Sequence, residues 1–355
     1  MKPRIALWLL WAGCAHTGAP LWSDDSRSEL GAQGTAIEPQ KEQPPQSATA
    51  AGPTDPTAAP GAPAAAPLPP AEDDAPVPPD APVVRLLEPG AEPRVRLRYR
   101  LAAGLTEDVS MSLSNTMATN FGTPLPPREV PVPTVRMLMS VTAAPAGKGE
   151  LTSTMRVVEL DAVDAPGGLP GLADRMRGDL AKLVGTTMQA RVTTRGAVIK
   201  METTLPSDAP ASARGTMESL QSSYGSSAIL PAEAVGVGAR WETEHKLHQN
   251  GVDVKALTRY RVRELVGARV GLDLEMELTG ASKEVRLPGA GGTPAQLDSM
   301  TGSGTGTLDL ELGSVVPRRG RNSLDSQLAM RVPAVGQSVS VSMRMKTLID
   351  LHAGR

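Results

Sequence analysis

Residues able to do chemistry are scarce in this chain, and their spacing limits what they can do. There is one cysteine, Cys14, and there are four histidines in 355 residues. His245 and His248 have the H-x-x-H spacing of helical metal sites, but they lie in an alternating strand pattern. In a strand, an odd separation sends two side chains to opposite faces. With no cysteine beyond residue 14 and only His352 further on, neither a metal site nor a Ser-His or Cys-His nucleophile is expected. Gly302-Ser303-Gly304-Thr305-Gly306 has the glycine spacing of a phosphate loop. It leads, however, into the strand pattern Thr307 to Leu312, whereas phosphate cradling needs a helix N-terminus. The run reads as a flexible lead-in or a glycine-bent strand edge. Asp273, Glu275, Glu277, Asp309 and Glu311 all fall on outward positions, so no inward carboxylate pair is set up for acid–base work. The expectation is a protein that is not an enzyme and uses no cofactor.

Cys14 stands apart. Lys2 and Arg4 are followed by the apolar run Ile5 to Trp11 and by Ala12-Gly13, small residues ahead of the thiol. That order is a secretory signal over residues 1–13 whose cleavage leaves Cys14 as the new N-terminus. The segment resembles the lipobox of bacterial lipoproteins: Leu10 and Ala12-Gly13 fit it, and Trp11 departs from the usual aliphatic residue. The resemblance implies a lipid-modified Cys14 that anchors the chain to a membrane. With Ala15 after it, the sorting rule of that family points to the outer membrane, facing the periplasm. No apolar run after Trp11 approaches the ~20 residues that a spanning helix needs.

Residues 14–93 read as a tether. Sixteen of the 33 prolines lie between Pro39 and Pro93, and no Val, Ile, Leu, Met or aromatic residue occurs from Glu38 to Pro67. Such a stretch buries too little apolar surface to offset the entropy of ordering it. Residues 15–93 carry 3 Lys+Arg against 12 Asp+Glu, and residues 94–355 carry 31 against 26, so an acidic tether precedes a mildly basic domain.

From Arg94 to about residue 352, one domain is built mainly on alternation. Val95, Leu97, Tyr99 and Leu101 interleave with Arg94, Arg96, Arg98 and Arg100, and Val135 to Val141, Val270 to Leu278 and Val339 to Leu351 continue the period of two. About a dozen antiparallel strands with one apolar face are expected. Two segments have helical spacing: Leu172, Met176, Leu180 and Leu183 before Gly185, and Ala213, Met217, Leu220 and Tyr224 before Gly225. The fold class is mainly β with two helices (α+β), a large curved antiparallel sheet, or half-barrel, covering both amphipathic helices.

One hairpin can be read residue by residue. Asn250-Gly251 is a preferred two-residue turn, which pairs Trp241 with Tyr260, Thr243 with Thr258, Leu247 with Val254 and Glu242 with Arg259. It also sets Lys246 opposite Lys255, a like-charge pair without an evident reason. A three-residue loop over Gly267 to Arg269 then pairs Arg263 with Asp273, Arg261 with Glu275, Arg259 with Glu277 and Tyr260 with Met276. Those carboxylates make the three arginines a solvated face rather than a nucleic-acid stripe. Arg94, Arg96, Arg98 and Arg100 have no assignable partners and remain a candidate surface for anionic headgroups or cell-wall polymer.

The domain holds 14 methionines against five aromatic residues, and most of the methionines fall on inner faces. Methionine fills irregular space in a core and also suits surfaces that accept varied apolar ligands. The candidate ligand-lining residues are Tyr99, Met139, Met176, Met217, Tyr224, Trp241, Tyr260 and Met276, with both helices packed on the sheet there. The stretch Leu230-Pro231-Ala232-Glu233-Ala234-Val235-Gly236-Val237-Gly238-Ala239-Arg240-Trp241 resembles a recurring segment of bacterial lipoproteins of uncharacterised function. The element order resembles the LolA/LppX-type half-barrels, which hold lipid between sheet and helices. Neither resemblance supplies a catalytic motif, and fold likeness does not carry function. Two readings stay open: a carrier or sensor of a lipid-like ligand, and a structural or protein-interaction module of the envelope whose inner face is only a core.

Overall fold

Alternation turns into hydrogen-bonded ladder over most of the domain. The computed structural model describes residues 81–354 apart from 123–126, 148, 210–227, 250–251, 281–283, 287–293 and 335–336. Cys14, Met217, Tyr224 and the helix expected over Ala213 to Gly225 lie outside the described residues. The strands are β1 (Val83–Glu88), β2 (Val95–Arg96), β3 (Leu105–Asn120), β4 (Glu129–Gly147), β5 (Glu150–Val163), β6 (Thr187–Thr193) and β7 (Val198–Thr204). They continue with β8 (Ala234–Val235), β9 (Arg240–Gln249), β10 (Val252–Val266), β11 (Arg269–Gly280), β12 (Glu284–Arg286), β13 (Pro294–Glu311), β14 (Arg319–Ala334) and β15 (Gln337–Ala353). One α-helix, α1 (Leu172–Leu180), precedes a 3-10 turn at Ala181–Leu183. The fold is therefore mainly β, with a single short helix among the described residues.

One antiparallel sheet runs in the order β1-β9-β10-β11-β13-β14-β15-β3-β4-β5-β6-β7, and β12 pairs β13 off this path. Laid flat at ~4.8 Å per strand, it would put β9 about 40 Å from the β6–β7 turn. Two hydrogen bonds through the segment Ala228 to Pro231 show otherwise. Trp241 Nε1 on β9 donates to the Ile229 carbonyl at 2.9 Å, and Leu230 N donates to the carbonyl of Arg195, in the β6–β7 turn, at 2.9 Å. The sheet is thus curled, with this segment spanning its inner side, as sheets beyond about ten strands tend to be.

The first hairpin has the register its sequence implies, from Val252 opposite Gln249 to Tyr260 opposite Trp241. Lys255 does face Lys246, but it leans to Glu244, with Nζ 2.9 Å from the carboxylate, which relieves the like-charge pair. The second hairpin is a correction. Val266 pairs with Arg269 across a two-residue turn, and a bulge at Arg263 shifts the ladder so that Tyr260 faces Leu274 and Arg259 faces Glu275. The slip is two residues, so every side chain keeps its face. Arg259 still reaches Glu277 at 2.6 Å and Arg263 reaches Asp273 at 3.0 Å as diagonal partners, while Arg263 also reaches over Gly271 to Asp309 of β13 at 2.7 Å.

Three further expectations are corrected. β1 lies inside the stretch read as tether; its inward residues Val84 and Leu86 pack on the core beside β9. Two inward positions between prolines are too few to register as alternation. Of the arginine-rich segment only Val95–Arg96 pairs, with β8, and Leu97, Tyr99 and Leu101 continue as an extended stretch buried across the inner side. Arg98 is buried with them, donating from Nη1 to the carbonyls of Leu97 (2.7 Å) and Pro231 (2.9 Å) and from Nη2 to that of Ala232 (2.9 Å). A guanidinium that ties the chain to residues 231–232 is no part of an outer basic surface. Finally, Gly302 to Gly306 lies in β13 between β11 and β14, in mid-sheet rather than at an edge.

Helix α1 closes one end of the inner face. Ala173, Met176 and Leu180, with Leu183 beyond, pack on Ala162 of β5, with Val135 and Leu160 alongside. Asp164 accepts a hydrogen bond from Ala173 N at 3.3 Å near the start of the helix, and Gly185, at φ 90°, takes the left-handed conformation just past its end. Burying Met176 and Leu180 contributes about 1.5–3 kcal/mol each, more than so short a helix has from propensity.

Candidate functional site

Cross-strand register places the inner side chains of β11, β13, β14, β15 and β3 in three adjacent rows. They run Leu274-Gly306-Asn322-Ile349-Leu113, then Met276-Gly304-Leu324-Thr347-Asn115, then Leu278-Gly302-Ser326-Met345-Met117. None of these residues carries a charge, and all except Leu274 are half-buried rather than buried. Met276, Leu324, Met345, Met117, Leu113 and Ile349 belong to none of the packed clusters among the described residues. The three glycines leave the floor low at β13. A Cβ on Gly304 would sit 2.5 Å from the Ser323 carbonyl and 3.0 Å from Met276 Cε, and one on Gly306 would collide with Asn322 Oδ1.

Both flanks of this band are closed. Toward one end, Leu272, Leu308, Leu310 and Leu312 join Leu97, Tyr99, Trp241 and Tyr260 in the largest cluster. Toward the other, Val252, Val254 and Leu297 form one small cluster and Ala295, Met330 and Val341 another. Charges lie outside. Arg331 clasps Asp298 at 2.7 Å and Arg344 holds Asp325 at 2.5 Å, each with its guanidinium raised and, for Asp325, its carboxyl lowered by the partner's hydrogen bond.

The residues expected to line a ligand are distributed rather than gathered. Trp241 and Tyr260 stack with ring centroids 5.1 Å apart, and Tyr99 joins them in the same cluster. Their polar atoms are satisfied: Tyr99 OH donates to the Ala228 carbonyl at 3.3 Å and Trp241 Nε1 to that of Ile229. Burial raises the Tyr260 hydroxyl to about 12 against opposing hydrogen bonds with Thr243 and Thr258. Met139 sits in a separate cluster with Val109, Met137, Met155 and Met188, and Met176 sits under α1. Met276 alone of the described set lies in the half-buried band. The helix therefore packs on Ala162 and Leu160 instead of the aromatic residues, whose cover is the segment Ala228 to Ala239 together with Leu97 to Leu101.

What sequence reasoning missed is the polar element of the band, Asn115, Asn322, Ser326 and Thr347. The signal was present: each interrupts an inward apolar series, as in Met111-Leu113-Asn115-Met117 or Met345-Thr347-Ile349. Thr347 Oγ1 lies 2.8 Å from Asn115 Oδ1, and Ser326 Oγ lies 3.4 Å from the Met345 carbonyl. Asn322 Oδ1 is shut off from solvent with no partner among the described residues, as is Thr119 Oγ1, one row further along the same face.

Among the described residues, no three His, Cys, Asp or Glu side chains stand together as a metal would require. His245 pairs with Ala256 on the inner face, where burial lowers its imidazole below the usual histidine range. No protein-family model matches the chain, and no curated protein matches its sequence.

Proposed function

We propose that this protein is a non-enzymatic lipoprotein of the bacterial envelope that binds or carries a lipid-like, apolar ligand on the inner face of its curled sheet. The observation that carries this reading is the uncharged, half-buried band between two closed flanks. Natural cores close over such a surface, because each half-exposed Leu or Met forgoes part of about 1.5–3 kcal/mol. Ligand sites are concave and mostly apolar with a few placed polar groups, which is the composition of this band. Lipid on Cys14 holds the chain at the outer membrane, facing the periplasm, and the proline-rich stretch sets the domain off from the surface.

The rival is an envelope interaction module without a ligand. What favours it is the aromatic flank, where Tyr99, Trp241 and Tyr260 have satisfied polar atoms in a packed core. Native mass spectrometry of the full chain taken from its own membranes, followed by organic extraction, separates the two. A bound acyl species is the expected result, and an empty protein that also refuses fatty-acyl probes would reject the carrier. In the same preparation Cys14→Ser should leave the membrane fraction; a variant that still sediments with membranes is not held by lipid.

A further inference from the structure

The inner band has a polar patch whose chemistry selects among apolar ligands. Asn322 and Ser326 of β14 are the diagonal neighbours of Thr347 on β15, and Thr347 faces Asn115 on β3. Four half-buried side chains, two amides and two hydroxyls, thus meet on three adjacent strands inside an otherwise apolar surface. Each group can both donate and accept a hydrogen bond, and none carries charge.

We propose that the ligand is a neutral amphiphile, with a hydroxyl or amide headgroup seated at Asn322, Thr347 and Asn115 and an acyl chain lying over Leu324, Met345 and Met117. The proposal rests on the carrier reading and names its ligand class. Three observations support it. First, the Asn322 carboxamide lies in the space a Gly306 side chain would fill, and its Oδ1 is buried without a partner. A half-turn about its Cβ–Cγ bond exchanges oxygen and nitrogen, so either an acceptor or a donor can face the band. A headgroup hydroxyl answers both. Second, no cation stands in the three rows. A phosphate or carboxylate drawn in there would lose its hydration with nothing to compensate it, which disfavours an anionic lipid by several orders of magnitude. The imidazole of His245, in the row of Ala256 and Leu278, is no ready counter-charge either, since burial lowers its pKa and disfavours its charged form. Third, Thr347 and Ser326 already spend their hydroxyl protons on Asn115 Oδ1 and the Met345 carbonyl, but a wholly apolar ligand would cover the amide N–H groups of Asn322 and Asn115 and cut them off from water, a cost of roughly tenfold in affinity for each.

The test compares 1-monooleoylglycerol, methyl oleate and oleate, identical in chain and different in head, titrated into the full chain and read by native mass spectrometry. The monoglyceride should bind about tenfold more tightly than the ester, which has no donor, and more tightly than the anion. Asn322→Val, β-branched and compatible with a strand, should erase the preference over the ester, and Asn322→Thr, its hydroxyl-bearing isostere, should keep most of it. Equal affinity of the wild type for all three probes overturns the proposal while leaving the carrier reading intact, and this arm needs no variant to fold. A preference that survives Asn322→Val overturns the assignment to this patch. Failure of every probe to bind means that the chain itself fills the band, and rejects both.

Discussion

The aromatic flank and the methionine band share strands, yet they are finished differently. At the flank, β9, β10, β11 and β13 are covered by two extended stretches of the chain itself, and Trp241 and Leu97 are fully buried. Met276, only two residues beyond the buried Leu274 on β11, is left half-exposed, as are Leu324 in its row and Met345 in the next. Strand propensity is similar in both regions, so the difference comes from what lies on top. The flank behaves as a core, and the band has the look of a surface kept from closing.

Three measurements can break or sharpen that contrast. The largest effect belongs to Trp241→Ala, which removes a stacked ring and its hydrogen bond and should cost about 3–5 kcal/mol in denaturant unfolding. The matching Met276→Ala in the band should cost ~1 kcal/mol or less, since its side chain is half in solvent. Equal losses would abolish the distinction between the two regions. Next comes Gly306→Ala. Its new Cβ can push the Asn322 amide aside but not the Arg321 carbonyl, which lies 2.8 Å away, so a loss of about 1–3 kcal/mol is expected. An unchanged melting temperature would show that the floor of the band yields easily.

The smallest effect is a pH dependence. Burial lowers the folded pKa of His245 below its unfolded value near 6.5. Its stabilising contribution is therefore present above about pH 6.5 and is lost as the pH falls through the folded pKa, because the unfolded chain takes up the proton first. The melting temperature should drop between pH 7.5 and pH 5 by more in the wild type than in His245→Gln. Identical drops would place the acid sensitivity elsewhere, with Asp325 and Glu129, both lowered by their cationic partners, the next to examine.

The parts of the fold legible in the sequence are those set by local chemistry. The register from Trp241 to Val254 follows from a two-residue turn and alternation, and α1 follows from the spacing of Met176, Leu180 and Leu183 with Gly185 behind it. The second hairpin was displaced because a bulge at Arg263 adds a residue that no pattern of alternating side chains reveals. The segment Leu97 to Leu101 alternates as a strand does but lies across the inner side without a long ladder, and Arg98 is buried through carbonyls more than 130 residues away. Period two reports which side chains face inward, not whether a neighbouring strand exists. For the site, methionine content pointed to the inner face in general. Only the register places Asn115 beside Asn322, Ser326 and Thr347, since Asn115 lies more than 200 residues before the β14–β15 hairpin.

The strand order also has a consequence for synthesis. β3 to β7 form one run of sequential neighbours and β9 to β15 another, and what joins them in mid-sheet is the ladder between β15 and β3, twelve residue pairs long from Ser342–Asn120 to Ala353–Val109. Emerging at roughly 5–20 residues per second, β3 waits on the order of ten to forty seconds for its outer partner. Throughout that interval one long flank of the first half has its backbone amides and carbonyls unpaired, open to any extended chain nearby. Whatever escorts the nascent polypeptide must shield that flank until the last strand arrives.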